Sequence, residues 1–140
     1  KKAGSQAAFR AVDHEMVLSF ARAAKAAGTR QLITVSALGA HAKSRVFYNR
    51  VKAETEDALA AMHFESLTLL RPSFLTGDRA ESRPGERLGI AVFSALSPLM
   101  RGPARRYRPV AAADVAACMW RAAAQCLPGV RVIESEQIAR

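Results

Sequence analysis

Gln31-Leu32-Ile33-Thr34-Val35-Ser36 is the stretch on which the fold turns. It is short, rich in β-branched residues and uncharged, which suits a parallel strand buried in a sheet. Working outward, residues 5–27 predict a long helix with Ser5 as N-cap and Gly28 as its stop. Phe9, Val12, Met16, Leu18, Phe20 and Ala23 approximate its apolar stripe. After the strand, residues 39–44 read as a loop and residues 45–62 as a second helix. Ser66-Leu67-Thr68-Leu69-Leu70 then predicts a second strand, stopped by Arg71-Pro72. Residues 73–87 form a long irregular stretch with Gly77, Pro84 and Gly85, a composition and length more often functional than idle. Residues 88–100 predict an apolar helix and 101–109 a basic, turn-rich segment. Residues 112–125 predict a third strong helix, capped near Ala113-Asp114, and residues 130–133 a last strand. The order of elements predicts α/β architecture with a parallel sheet.

Composition sets the bounds. At 140 residues, 50% apolar and 24% charged, the chain can bury the core of one domain. No apolar run reaches membrane-span length, and the N-terminus lacks a signal-peptide layout, so no membrane partner is expected. Cys118 and Cys126 fall in no metal-ligand pattern, and His14, His41 and His63 are scattered, so no metal is expected. Both cysteines read as reduced core thiols in a cytoplasmic protein. The net charge of +9 comes with 16 arginines among 21 basic residues. We read it as arginine on solvated faces rather than as a nucleic-acid surface, because charge excess alone is a weak signal. Arg101, Arg105, Arg106 and Arg108 are likewise expected on a solvated loop, since only Tyr107 there offers an aromatic platform.

Chemistry concentrates at Tyr48-Asn49-Arg50-Val51-Lys52. Positions i and i+4 share a helix face, so a phenol and an ammonium can serve one site. A nearby ammonium favours phenolate, which is how a tyrosine with a reference pKa of about 10 becomes an acid/base group. The plainer alternative places the Tyr48 hydroxyl in water and pairs Lys52 with Glu56. Ser36 ends one strand and Arg71-Pro72-Ser73-Phe74-Leu75-Thr76-Gly77 ends the next. In open α/β sheets ligands sit at the carboxyl ends of strands, so three elements deliver groups to one edge. His41 and His63 are expected on the surface, because nothing orients either against a nucleophile.

Val35-Ser36-Ala37-Leu38-Gly39-Ala40, Tyr48-x-x-x-Lys52, Leu70-Arg71-Pro72-Ser73-Phe74-Leu75 and Asp78-Arg79-x-Glu81-Ser82-Arg83-Pro84-Gly85-Glu86 together resemble the atypical short-chain dehydrogenase/reductases. Within these the chain resembles the group around the Tat-interacting protein TIP30 and its bacterial members. The resemblance implies a Rossmann-like doubly wound parallel sheet that lacks its N-terminal strands and glycine-rich turn. Residues 1–140 would then be a single partial domain, the C-terminal part of an NAD(P)-binding unit; the eight glycines never form G-x-G-x-x-G. It implies hydride transfer between NADP or NAD and a small carbonyl or alcohol substrate. Tyr48 would be the proton donor or acceptor, Lys52 the residue that lowers its pKa and binds the nicotinamide ribose, and Ser36 the strand-end serine. Pro72, Ser73, Phe74, Leu75 and Arg83 would contact the dinucleotide. The second reading is a non-catalytic dinucleotide-binding regulator or interaction module. Ala37 and Leu38 follow Ser36, where many such reductases carry a further serine that stabilises an oxyanion. Weak dinucleotide affinity is expected of these 140 residues alone, and the apolar helix at 88–100 offers a homodimer interface.

Overall fold

The computed structural model describes residues 4–76 and 102–138. Helix α1 (Gln6–Arg10) runs through a π-helical segment (Ala11–Met16) into α2 (Val17–Ala26). Strand β1 (Gln31–Val35), helix α3 (Phe47–Ala60) and strand β2 (Ser66–Arg71) come next. After β3 (Leu75–Thr76) the described chain resumes with a 3-10 helix (Gly102–Tyr107), β4 (Val110–Ala111), α4 (Ala112–Gln125), β5 (Gly129–Glu134) and α5 (Ser135–Ile138). The fold is α/β, with a small parallel sheet and flanking helices. The segment at 88–100, and with it the homodimer expectation, lies outside the described residues.

The main sheet has the order β1-β2-β5, parallel throughout. Parallel neighbours need a crossover connection, and α3 supplies it between β1 and β2. Central β2 is buried along Ser66–Leu70, as a strand covered on both faces should be. Its alternation sorts the core into two layers. Leu67 and Leu69 join Leu18 and Ala21 of α2, Leu59 of α3 and Phe64. Leu70 joins Val110, Val115 and Cys118 with Ile138, beneath α4 and α5. Each fully buried leucine contributes about 1.5–3 kcal/mol relative to exposure.

The first helix departs from its expected stripe. Ser5 caps it as the sequence predicts, its Oγ accepting from Ala8 N at 3.1 Å, and Gly28 ends it at φ +85°. Yet Val12, Met16 and Phe20 are exposed, while Leu18 and Ala21 are buried. A π-helical turn bonds i to i+5, so each such turn takes up more residues and rotates the succeeding turns about the axis. The segment at Ala11–Met16 re-phases the helix and puts Val17, Leu18 and Ala21 on the core. Two smaller expectations also change. Helix α4 is entered from Ala111 without a side-chain cap, and Asp114 lies in its first turn, where its charge suits the helix dipole. Cys118 is a core thiol, but Cys126 is exposed at the left-handed C-cap of α4, φ +44°.

Candidate functional site

The carboxyl ends of β1 and β2 open into a cleft of about 1170 Å³. Pairing between these strands continues beyond the ladder: Ser36 N donates to Leu70 O at 2.7 Å and Leu38 N to Pro72 O at 2.9 Å. The two chain exits are therefore tied into one floor. Gly39 holds the turn above it at φ +80°, an angle that favours glycine, and a Cβ there would lie 2.9 Å from Asn49 Nδ2 and displace that amide. Asn49 in turn accepts His41 N through its carbonyl at 3.3 Å, and Arg50 Nη1 donates to Ser44 O at 2.9 Å. These bonds seat the loop between β1 and α3 on the first turn of α3.

The opposite wall comes from a segment expected, from its sequence, to stand in solvent. β3 pairs with β4 in parallel, Leu75 opposite Val110, and Val110 N donates to Phe74 O at 2.9 Å. Ser73 fixes the junction, its amide donating to Ser135 Oγ at 3.1 Å and its hydroxyl to the Arg108 carbonyl. This brings the 3-10 helix alongside the strand ends, so that Arg106 and Tyr107 line the cleft. The basic cluster at residues 101–109 showed the charge but not the docking, because a two-residue ladder has no periodicity to read.

The structure gathers Ser36, Tyr48, Pro72, Ser73, Phe74 and Leu75 around this cleft. Ser36 is buried, and its Oγ finds no hydrogen-bond partner among the described residues. Such a group carries a desolvation cost of about 1–3 kcal/mol until something bonds it. Phe74 and Tyr107 are half or more exposed and offer ring faces. Arg83 lies outside the described residues. His41 is exposed as expected, but it too lines the cleft, its Nδ1 accepting from Lys43 N at 3.1 Å.

Lys52 is placed differently. Its Nζ donates to Asp13 Oδ1 at 2.6 Å, and it does not line the cleft. Neither alternative drawn from the sequence names this partner. The ammonium lies 5.7 Å from the Tyr48 ring centroid, while that ring packs on Phe9 at 5.4 Å. Thr55 completes the junction: its Oγ1 donates to Val51 O at 2.8 Å, lies 3.1 Å from Asp13 O and contacts His14 Nδ1 at 3.0 Å. The widened π-helical turn thus offers both the carbonyl and the carboxylate of Asp13 to α3. Glu56, the other candidate partner of Lys52, is buried against Arg71, which donates Nε to Oε1 at 3.0 Å and Nη2 to Oε2 at 2.6 Å. Arg71 Nη1 also reaches Glu134 Oε1 at 3.0 Å. The Glu56 carboxylate holds the Arg71 guanidinium above its already high ordinary pKa. Among the described residues no three His, Cys, Asp or Glu side chains group to hold a metal. No helix there is long and apolar enough to cross a membrane.

The chain has relatives among known proteins. The chain is similar to the protein fmp52, mitochondrial, of Emericella nidulans, 43% identical over 75 residues, which are 54% of this chain and 32% of the relative. It is 43% identical over 81 residues to protein FMP52, mitochondrial, of Coccidioides immitis, covering 58% of this chain and 33% of that one. The protein of the same name from Eremothecium gossypii is 40% identical over 82 residues, with 59% and 37% covered. The chain spans about a third of the length of these curated relatives. No protein-family model matches it.

These findings correct the expectations that rested on resemblance. The matched relatives are fungal proteins named FMP52, in place of the TIP30-like short-chain dehydrogenase/reductases and their bacterial members. Their names read mitochondrial, against the cytoplasmic location expected from reduced thiols. They state no oxidoreductase activity, so hydride transfer loses the resemblance that carried it, as does the regulator that was its alternative. The geometry gives a physical reason in the same direction: the short contact of the Lys52 ammonium is to Asp13.

Proposed function

We propose that the described strands belong to the C-terminal part of a Rossmann-like doubly wound sheet. On this reading residues 1–140 form a single partial domain whose strand-end cleft binds a small, ring-bearing ligand. The observation that carries the reading is the buried Ser36 hydroxyl, without a hydrogen-bond partner among the described residues, at the carboxyl end of a parallel strand and on the wall of a large cleft. Ligand pockets combine apolar walls with a few placed polar groups, and this cleft has Leu38, Pro72 and Phe74 beside Ser36, Tyr48 and Arg106. A nicotinamide dinucleotide, NADP or NAD, fits these residues in kind. Its flat ring suits the Phe74 and Tyr107 faces, its carboxamide can bond the Ser36 hydroxyl, and its phosphates suit Arg106.

Chemical-shift mapping with NADP, NAD and nicotinamide mononucleotide tests this. Ser36, Tyr48 and Phe74 amides should shift in a saturable way, and Ser36→Val should weaken binding by roughly tenfold, the worth of about one hydrogen bond to a buried group. Shifts confined to other surfaces, or an unchanged affinity in Ser36→Val, would reject the cleft as the nucleotide site.

A further inference from the structure

A second concavity lies away from the strand-end cleft, between α4, β5 and α5. It is an open groove of about 210 Å³, lined by the exposed Arg121 and Gln125 of α4, the half-buried Arg131 of β5 and the exposed Gln137 of α5, with the buried Cys118 at its wall. Its two charged side chains, Arg121 and Arg131, are donors only. Arg121 Nη2 donates to Ile138 O at 3.0 Å, which anchors that guanidinium, and no other bond of it to a described residue is seen. Gln137 turns its carbonyl oxygen to Glu134 N at 2.9 Å, so its amide nitrogen is the end left to donate. The carbonyl of Ala122, which also lines the pocket, accepts from Gln31 Nε2 at 3.1 Å. Neither arginine pairs with a carboxylate among the described residues, and no carboxylate lines the pocket.

We propose that this pocket is a binding site for a small tetrahedral oxyanion, a phosphate group held between Arg121 and Arg131. Two planar forks with fixed donors match phosphate oxygens better than a point charge would, and the amide of Gln137 supplies a third donor. The groove is smaller than the pockets of about 300 Å³ upward that hold drug-sized ligands, and its size suits a free phosphate ion or a terminal monoester phosphate. This site is separate from the nucleotide cleft and stands whether or not that reading does.

The test is titration of the whole 140-residue chain with inorganic phosphate, read by calorimetry and amide shifts, against chloride at matched ionic strength. Saturable binding of one phosphate is expected, with shifts at Arg121, Arg131 and Gln137. Arg131→Gln, which removes no hydrogen bond or ion pair to a described residue, should weaken it roughly tenfold or more, while Arg131→Lys should restore only part of the loss. Arg121→Gln should weaken it similarly, and Ser36→Val should leave it unchanged, which separates this site from the cleft. Melting without phosphate checks that each variant is folded. Competition by adenosine monophosphate would identify a monoester as an occupant, and its failure would restrict the site to the free ion. Absence of saturation, an equal effect of chloride, or undiminished binding in folded Arg131→Gln would overturn the proposal.

Discussion

Lys52 shows how one side chain's partner can change its meaning. A lysine one turn from a tyrosine suggests an activated phenol, but a 2.6 Å contact joins this one to a carboxylate 39 residues earlier in the chain. Both side chains are largely buried, at 14% and 28% exposure, so the pair falls between a surface bridge and a core one. Removing one partner strands the other charge in a poorly solvated place. Asp13→Ala should therefore cost about 1.5–3 kcal/mol of stability, read from urea unfolding. A double-mutant cycle with Lys52→Met should return a coupling above ~1 kcal/mol, beyond the range of exposed pairs. Coupling near zero would return Lys52 to the solvent role. The i, i+4 relation of Tyr48 and Lys52 was legible because helical geometry is local. Asp13 was not, since its approach depends on how the first helix docks on α3.

At the scale of elements, the strands were the most readable. Residues 31–36, 66–70 and 130–133 became β1, β2 and β5 to within a residue or two, because short apolar or β-branched runs close to a glycine or proline leave few alternatives. The first helix was readable in extent but not in phase. Its apolar residues do not select one face, and the π-helical segment decides which of them turn inward. Leu18→Ala should cost about 2–5 kcal/mol, the range for truncating a buried leucine. Met16→Lys and Phe20→Lys should each stay within about 0.5 kcal/mol of the parent. If thermal melts show Phe20→Lys as costly as Leu18→Ala, the helix is phased as its sequence first suggested. The 3-10 helix and the β3–β4 ladder could not be foreseen, because two-residue strands carry no pattern and exist through tertiary pairing.

At the scale of the molecule, Arg71 joins three elements: α3 through Glu56, β5 through Glu134, and β2, on which it lies. Glu56→Gln should cost about 2–3 kcal/mol, since a bidentate, charge-assisted contact to a buried group is lost. The Arg71 pKa is raised on folding, so its contribution is complete below its unfolded value and is lost only as pH climbs through the folded one. Arginine stays protonated well past mildly alkaline pH, so the stability gap between parent and Glu56→Gln should stay constant from about pH 7 to about pH 10. A gap that closes in that window would show the arginine is not the partner that matters. The residues alone were enough for the α/β class, the order of the strands along the chain, and the group from Ser36 to Leu75 that meets at the strand ends. Local propensity and the rule that ligands collect at carboxyl edges are properties of short segments and of simple topology. It took the folded chain to decide that Lys52 belongs to Asp13, that Glu56 belongs to Arg71, and that Arg106 and Tyr107 close the cleft. These are pairings between distant segments, set by how the layers pack, and no local pattern encodes them.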